Sequence, residues 1–144
     1  MPDPSPVVQL EDAEYIELYN RAEYPIKLTN WMLLVDAHEI HFDTLECAAH
    51  AYILLIDTDD SLRFEEQEFS AISLPKMNNS EGYIGLFDDQ NKRIHEIKYH
   101  KKWYKNENKE LGGWSLEMMD HENYCAGKSN WMACENTLGG SPGV

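Results

Sequence analysis

The chain has 144 residues, of which 42% are hydrophobic and 11% aromatic, and this content excludes a disordered segment. Its length predicts a single domain over residues 1–144, long enough to build a full hydrophobic core. Twenty-six acidic residues against twelve basic ones give a net charge of −14, which opposes binding to the phosphate backbone of nucleic acids. No apolar run approaches the roughly 18 residues that a membrane-spanning helix needs, so no membrane insertion is expected.

The first half of the chain predicts short β-strands separated by turns. In residues 14–19, Ile16 and Leu18 face one side while acidic residues and tyrosines face the other, which indicates a half-buried strand. Residues 31–35 are apolar throughout, as in a strand buried on both faces or in the centre of a sandwich, and residues 51–56 predict a central strand. The predicted strands of this half are 14–19, 25–28, 31–35, 39–42 and 51–56.

The second half predicts a hairpin and one further strand. Residues 83–87 and 93–99 lie on either side of the turn-forming residues 88–92, as in a β-hairpin. Residues 114–118 predict the last strand, whereas the acidic stretch 61–69 fits a helical turn only weakly. Seven or more short strands without crossover helices predict an all-β, antiparallel sandwich.

Both ends of the chain are rich in residues that interrupt regular structure. Prolines alternate with other residues at the start, and glycines dominate the last residues. This composition predicts linker-like ends at residues 1–12 and 136–144, and a domain excised from a longer, exported protein.

Several motifs follow one another along the chain. Residues 14–20 have the sequence E-Y-I-E-L-Y-N, and residues 26–33 have the sequence I-K-L-T-N-W-M-L. Residues 74–86 place an asparagine-rich turn before a strand. The closing motifs are G-W-S-L-E at 113–117 and the stretch 129–143, which begins S-N-W and ends G-G-S-P-G. In this order the motifs resemble the lamin-tail domain family, named for the globular tail domain of lamins, and especially its bacterial members exported by Bacteroidetes.

The resemblance implies an immunoglobulin-like β-sandwich that serves as an interaction module, with no catalytic residues to carry over. Family members usually begin with an apolar strand that precedes an Asp-Pro loop. If residues 1–4 form that loop, the first edge strand is missing and the exposed sheet edge could accept a strand from another chain. The same open edge would allow two copies to pair as a homodimer. A glycine-bearing turn that is usual in the family is replaced here at residues 48–51.

Five residues are expected to act in folding. Asn20 suits the turn after the first strand, because its side chain bonds nearby backbone and tolerates left-handed geometry. Gly113 and Gly140 belong to glycine pairs that permit positive φ where the chain bends. Trp31 and Trp131 are expected to fill the core or cover its rim, and a ligand contact is the alternative for Trp131.

The cysteines suggest a disulfide. Cys125 and Cys134 lie nine positions apart in a predicted loop, and a bridge between them would stabilise the fold by about 2.5–3 kcal/mol. Two free thiols are the alternative. Cys47 is left over and is expected in or near the core. The spacing fits no zinc-binding cysteine pair, so zinc is not expected.

A basic segment interleaved with aromatic residues contrasts with the acidic remainder of the chain. We interpret it as a solvated loop, with a nucleic-acid site as the alternative. Aromatic residues in and after this segment offer a speculative ligand platform for stacking. The segment contains Lys98, Tyr99, Lys101, Lys102, Trp103, Tyr104 and Lys105, and the platform would consist of Trp103, Tyr104 and Trp114.

No metal, cofactor or catalytic site is expected. His38 and His41 are three positions apart, and on a strand residues at that spacing point to opposite faces and do not share an ion. Asp57, Asp59 and Asp60 lack the glycine and the distal glutamate of an EF-hand loop. The chain contains no G-x-S-x-G motif for a nucleophilic serine.

These observations predict a non-catalytic interaction or scaffolding module of an exported or cell-surface bacterial protein. The expected location is extracellular, on the cell surface or periplasmic. The expected partner is a protein or a component of the cell envelope. Binding to nucleic acid and insertion into a membrane are not expected. The alternatives are a carbohydrate-binding module, which would use the aromatic platform, and an accessory domain of a hydrolase.

Overall fold

The computed structural model describes residues 1–64 and 69–143 of the chain. They form β-strands connected by loops and short 3₁₀ helices. The strands are β1 (Tyr15–Tyr19), β2 (Ile26–Lys27), β3 (Met32–Val35), β4 (His38–His41), β5 (Glu46–Cys47), β6 (Tyr52–Asp57), β7 (Phe69–Ile72), β8 (Glu81–Phe87), β9 (Arg93–His100), β10 (Leu116–Met118) and β11 (Trp131–Ala133). The 3₁₀ helices are Thr58–Arg63, Lys101–Tyr104, Lys109–Leu111, His121–Asn123 and Gly127–Asn130.

Two larger sheets and two small ribbons make up the fold. The first sheet has the strand order β1-β6-β7, and the second has the order β4-β3-β8-β9. The ribbons pair β2 with β5 and β10 with β11. Most pairs are antiparallel, and β6 with β7 is parallel. The prediction of an all-β sandwich is confirmed.

The main hydrophobic core lies between the two larger sheets. Ile16 on β1 and Leu55 on β6 meet Leu33 and Val35 on β3 there. Because side chains alternate along a strand, β6 also presents residues to the opposite face of its sheet. That second face packs a smaller core of Met1, Ala13, Tyr15, Leu54, Ile56 and Phe64. β6 is therefore buried on both faces, which explains its continuous apolar sequence.

β3 is less deeply buried than its sequence predicts. Leu33 and Val35 face the main core with at most 1% of their surface exposed, whereas Met32 and Leu34 on the other face are only partly buried. β3 lies in the interior of its sheet, between β4 and β8, and its second face remains partly accessible. It thus matches the alternative of a strand in the centre of a sandwich.

The hairpin formed by β8 and β9 has the predicted position and loop. Residues 88–92 connect the strands, and a single carboxylate oxygen of Asp88 accepts hydrogen bonds from the backbone of Gln90 at 3.0 Å and of Lys92 at 2.8 Å. Asn91 has φ 60°, a left-handed geometry that asparagine tolerates. β9 ends the four-stranded sheet, so one of its sides is an edge.

The two chain ends are packed against the body, which corrects the prediction of linker-like ends. Met1 exchanges two backbone hydrogen bonds with Tyr15 of β1. The Leu10 N–H donates to the Leu138 carbonyl at 3.2 Å, and the Ser115 N–H donates to the Gly139 carbonyl at 2.7 Å. Val144 lies outside the described residues. The edge of β1 is thus partly covered by the chain's own backbone, although no strand precedes β1 among the residues described.

Asn20 and Gly113 have roles that their residue types suggest. The buried Asn20 amide donates to the carbonyls of Tyr24, Cys47 and Ala48, and its carbonyl oxygen accepts from the Ala22 N–H. Asn20 therefore joins the turn after β1 to the region of β5. Gly113 has φ 78°, and a Cβ there would collide with the backbone carbonyl of Pro6.

Other features differ from the sequence prediction. The strands β5, β7 and β11 were not predicted, and β7 begins within the stretch 61–69 that was assigned a weak helical turn. Residues 58–63 do form a 3₁₀ helix, and residues 65–68 lie outside the described part of the chain. The strands that were missed are two to four residues long, too short to show a periodic pattern.

Candidate ligand-binding groove

Two adjoining cavities share Trp103 and lie beside the edge strand β9; we call them together the β9 groove. The larger cavity has a volume of about 530 Å³ and the smaller one about 230 Å³. The larger cavity is lined by His100, Lys102, Trp103, Lys105, Lys128 and Ser129. The smaller is lined by His95, Glu96, Ile97, Lys98, Trp103, Tyr124, Gly127 and Trp131.

A short helix at the end of β9 sets the position of Trp103. The His100 Nδ1 accepts a hydrogen bond from the Lys102 N–H at 3.0 Å and so caps the 3₁₀ helix Lys101–Tyr104. Lys105 then adopts φ 55° and ends the helix. This single turn directs Trp103 into the groove, while Tyr104 is buried in the fold and donates its hydroxyl to the Trp114 carbonyl at 3.1 Å.

The opposite wall comes from the loop between β10 and β11, and Asn130 holds that loop together. Its amide donates to the carbonyls of Asp120 at 2.7 Å and Asn123 at 2.9 Å, and its carbonyl oxygen accepts from the Asp120 N–H at 2.9 Å. Only 4% of Asn130 is exposed. These bonds place Tyr124 and Trp131 on the groove.

Tyr124 is fixed further by a cation above its ring. The Arg21 guanidinium carbon lies 4.4 Å from the ring centroid, and the same guanidinium forms an ion pair with Glu122 at 3.0 Å. The His95 ring lies 6.4 Å from the Tyr124 ring, on the β9 side of the groove. Aromatic side chains therefore stand on both sides of the smaller cavity.

The groove is basic although the chain is strongly acidic. Four of the twelve lysines and arginines line it. Of its lysines, Lys102 pairs with Glu110 at 2.9 Å, and Lys105 donates to the Ser129 carbonyl at 3.3 Å. Glu96 is the acidic residue among the described residues that line the groove. Its carboxylate already accepts hydrogen bonds from the Tyr83 hydroxyl and from the Arg93 guanidinium. The larger cavity thus presents cations and a tryptophan to solvent.

His95 is a partly buried group in this wall. Burial lowers its pKa below the ordinary value for histidine, against a smaller opposing effect of the neighbouring Glu96 carboxylate. The Nε2 atom is buried and has no hydrogen-bond partner within the described chain. A polar atom of this kind is normally satisfied by water or by a ligand.

The structure does not assemble the predicted platform of Trp103, Tyr104 and Trp114. Tyr104 is buried, and the Lys109 ammonium lies 4.0 Å from the Trp114 ring centroid and so covers its face. Trp103 lines the smaller cavity together with Trp131 and Tyr124 instead. Sequence reasoning assigned Trp131 chiefly to the core or its rim and did not single out Tyr124 or Lys128 for binding. No sequence spacing links that loop to β9, because only the fold brings them together.

The remaining structural residues lie away from the groove. Trp31 packs against the main core and is partly buried, as its assignment to the core or its rim required. Gly140 is buried near Tyr15 and Leu10, where a Cβ would collide with both side chains. These positions build the fold and contribute no atom to the groove lining.

The predicted disulfide between Cys125 and Cys134 is not formed. Cys125 is an exposed thiol, whereas Cys134 is buried at the end of β11, where its sulfur accepts from the Asn136 N–H at 3.3 Å. Cys134 thus faces the interior and Cys125 faces solvent. Cys47 is also a free, buried thiol and belongs to the main core, as predicted.

Metal-binding groups are dispersed over the residues described here. Within 1–64 and 69–143, no three histidine, cysteine or acidic residues are grouped as a metal ion would need. Asp57 uses its carboxylate to cap the 3₁₀ helix Thr58–Arg63 by accepting from the Asp59 N–H at 2.9 Å. His38 and His41 are exposed on the edge strand β4.

Compared with protein-family models and with curated proteins, the chain matches none. No helix in the described part of the chain is both long and apolar enough to cross a membrane. The assignment to the lamin-tail family is therefore a prediction based on the motifs, and the groove has to be interpreted from its own chemistry.

Proposed function

We propose that this chain is a non-catalytic interaction module that binds its partner in the β9 groove. The observation that carries the proposal is the concentration of lysines and aromatic rings in one groove of a chain with net charge −14. Lysines gathered at one place on so acidic a surface would attract a negatively charged group. The partner is therefore an anionic protein segment or an anionic component of the cell envelope.

The chemistry of the lining favours binding over catalysis. The rings of Trp103 and Trp131 supply stacking surfaces, and the lysines supply charge. Glu96 is engaged with Tyr83 and Arg93, so its carboxylate is poorly placed to act as a base. We accordingly assign the chain no enzymatic activity of its own.

The proposal includes an exported or cell-surface setting for a lamin-tail-type, immunoglobulin-like domain. The order of the motifs supports this assignment, and the all-β sandwich is compatible with it. A role as accessory domain of a hydrolase would use the same binding function to position a catalytic neighbour.

A carbohydrate-binding module is the second candidate, and one observation favours it. Trp103 and Trp131 are both partly exposed and line the same cavity, where the face of a sugar ring could stack on either indole. The lysines would select an acidic sugar. This candidate differs from the first in the ligand, not in the site.

The test is a binding comparison with three anionic probes. The protein is titrated at 0.15 M salt with a decaglutamate peptide, an oligogalacturonate and a ten-nucleotide oligothymidylate, and binding is followed by tryptophan fluorescence. We expect binding of the peptide that is lost when Lys105→Gln and Lys128→Gln are combined. The matched control combines Lys27→Gln with Lys76→Gln, two exposed lysines outside the groove. Preference for the oligogalacturonate would select the second candidate, and no binding of any probe at 1 mM would contradict the proposal.

A further inference from the structure

We infer that the β9 groove takes an extended acidic peptide that joins the free edge of β9 as an additional β-strand. This inference rests on the proposed function and adds the conformation of the ligand and the atoms that recognise it. Recognition would combine main-chain hydrogen bonds from β9 with ion pairs from the groove lysines, as in other cases of strand addition.

The first step concerns which backbone groups of β9 are free. The Asp36 N–H donates to the Tyr83 carbonyl and the Asp36 carboxylate accepts from the Tyr83 N–H, both at 2.8 Å, so the Tyr83 backbone faces Asp36 and β3. Lys98 lies opposite Tyr83 in the β8–β9 ladder. Residues in an antiparallel ladder alternate between bonded and non-bonded pairs, so Lys98 points its N–H and carbonyl away from β8.

The same alternation applies two residues earlier, at Glu96, which lies opposite Gly85. Within residues 1–64 and 69–143, the backbones of Glu96 and Lys98 make no hydrogen bond to a further element. Glu96 and Lys98 therefore offer two N–H donors and two carbonyl acceptors, spaced two residues apart along the strand edge. An edge with this pattern is a template for another strand.

The second step concerns the space beside that edge. The smaller cavity is lined by four consecutive residues of β9, from His95 to Lys98. Side chains alternate between the two faces of a sheet, so four consecutive residues share a cavity only when it runs along the strand edge. Tyr124 and Trp131 form the far wall. A strand seated there would be enclosed between β9 and two aromatic rings.

The third step concerns charge. Lys98 lies on the strand edge, and Lys105 and Lys128 lie around the larger cavity, in the direction in which β9 ends. Acidic side chains on an added strand would meet these ammonium groups in turn. A long nucleic acid or glycan would carry its charge beyond the groove onto the acidic remainder of the surface, where it is repelled. A short acidic peptide stays within the groove and avoids this repulsion. Of these ligands, only the peptide has main-chain N–H and carbonyl groups that can pair with those of the β9 edge.

The other sheet edges are less suited to this role. The start of β1 is already paired with the backbone of Met1. β4 and β7 are each four residues long, whereas β9 has eight. β1 is still the outermost strand of its sheet, but its start is covered, so the longer edge of β9 is the better template among the described strands.

The experiment uses an eight-residue peptide of alternating valine and glutamate with capped ends. It is compared with the same peptide methylated on every amide nitrogen and with a valine–lysine peptide of equal length. We expect binding of the first peptide alone. In the wild-type protein, hydrogen exchange at the amides of Glu96 and Lys98 should slow at least tenfold on binding, and this readout does not depend on a variant.

A pair of variants separates the backbone from the side chain of Lys98. Lys98→Pro removes the outward N–H and leaves the ladder to β8 intact, because proline is tolerated on edge strands. Lys98→Ala removes the charge and keeps the N–H. We expect the proline variant to bind the valine–glutamate peptide about five- to tenfold more weakly than the alanine variant, the effect of about one hydrogen bond.

Three results would overturn the inference. Equal binding of the methylated peptide, with unchanged exchange at Glu96 and Lys98, would show an acidic peptide bound without strand addition and would leave the proposed function standing. Binding of oligogalacturonate or oligothymidylate, without binding of any peptide, would show that the groove binds a different class of ligand. Absence of all binding would contradict both the inference and the proposed function.

Discussion

The side chain of Asn130 and the backbone of Asp120 are joined by reciprocal hydrogen bonds, with the Asn130 amide donating to the Asp120 carbonyl at 2.7 Å and its carbonyl oxygen accepting from the Asp120 N–H at 2.9 Å. A third bond runs from the same amide to the Asn123 carbonyl. One buried side chain therefore sets the conformation of the loop that forms the far wall of the β9 groove.

Replacing Asn130 by alanine should destabilise the fold and weaken ligand binding. The change leaves buried backbone groups without partners, and we expect the free energy of unfolding to fall by about 2 kcal/mol, measured by urea denaturation. Asn108→Ala is the matched control, because Asn108 is exposed and its side chain makes no capping bond. An equal loss in both variants would show that the loop is not held in this way.

The turn at residues 48–51 offers a stabilising substitution. His50 has φ 53° in a turn where the resembling family usually carries glycine. A side chain in the left-handed region is strained, and His50→Gly should raise the free energy of unfolding by about 0.5–1 kcal/mol. The exposed ion pair with Glu23 at 3.1 Å that the change removes contributes little.

The control for this prediction is His38→Gly in the edge strand β4, where the backbone is extended. Glycine weakens a strand, so stability should fall there. Thermal unfolding of both variants measures whether stability rises for His50→Gly and falls for His38→Gly. A loss of stability at position 50 as well would contradict the strain argument.

The fold was predictable where one physical pattern extends over five or more residues. The apolar run at β6 and the hairpin of β8 and β9 follow from side-chain alternation and turn chemistry, and both were found at the expected residues. The short strands β5 and β11 were not predictable in this way, because two or three residues cannot show a period. Their partners are chosen by tertiary packing.

The candidate site was only half predictable. The basic and aromatic segment at the end of β9 and just after it is visible in the sequence, and Trp103 was singled out from it. Tyr124 and Lys128 lie in the loop between β10 and β11, and Trp131 begins β11, 21 to 28 positions after Trp103. They reach the groove through the bonds of Asn130. The packing of the chain ends was likewise hidden, because proline- and glycine-rich composition indicates irregular backbone and does not indicate exposure.

Glu14 should make stability depend on pH. Burial raises its pKa above the ordinary value for glutamate, although one carboxylate oxygen accepts from the Met77 N–H at 2.8 Å. A raised pKa in the folded state means that the native protein binds this proton more tightly than the unfolded chain. The destabilising effect of the charge is therefore present at neutral pH and is lost as the pH falls through the folded pKa towards the unfolded one.

Glu14→Gln tests this effect, because glutamine can still accept from Met77 but carries no charge. We expect the variant to be more stable than the wild type at pH 7, and the difference to shrink as the pH is lowered to about 4, near the unfolded pKa of glutamate. Urea denaturation at several pH values measures the difference, with the exposed Glu11→Gln as control. A difference that grows on acidification would have the wrong sign for a buried carboxylate.

The cysteines should react as three free thiols of very different accessibility. Cys125 is exposed, whereas Cys47 and Cys134 are buried, and burial raises the pKa of both buried thiols, so neither forms the reactive thiolate readily. With a thiol reagent and no reductant, we expect one rapidly labelled cysteine per native chain and three after unfolding in denaturant. Cys125→Ser should remove the fast phase and leave two. A bridge between Cys125 and Cys134 would instead leave a single thiol in the unfolded, unreduced chain, so the count decides between the sequence prediction and the structure.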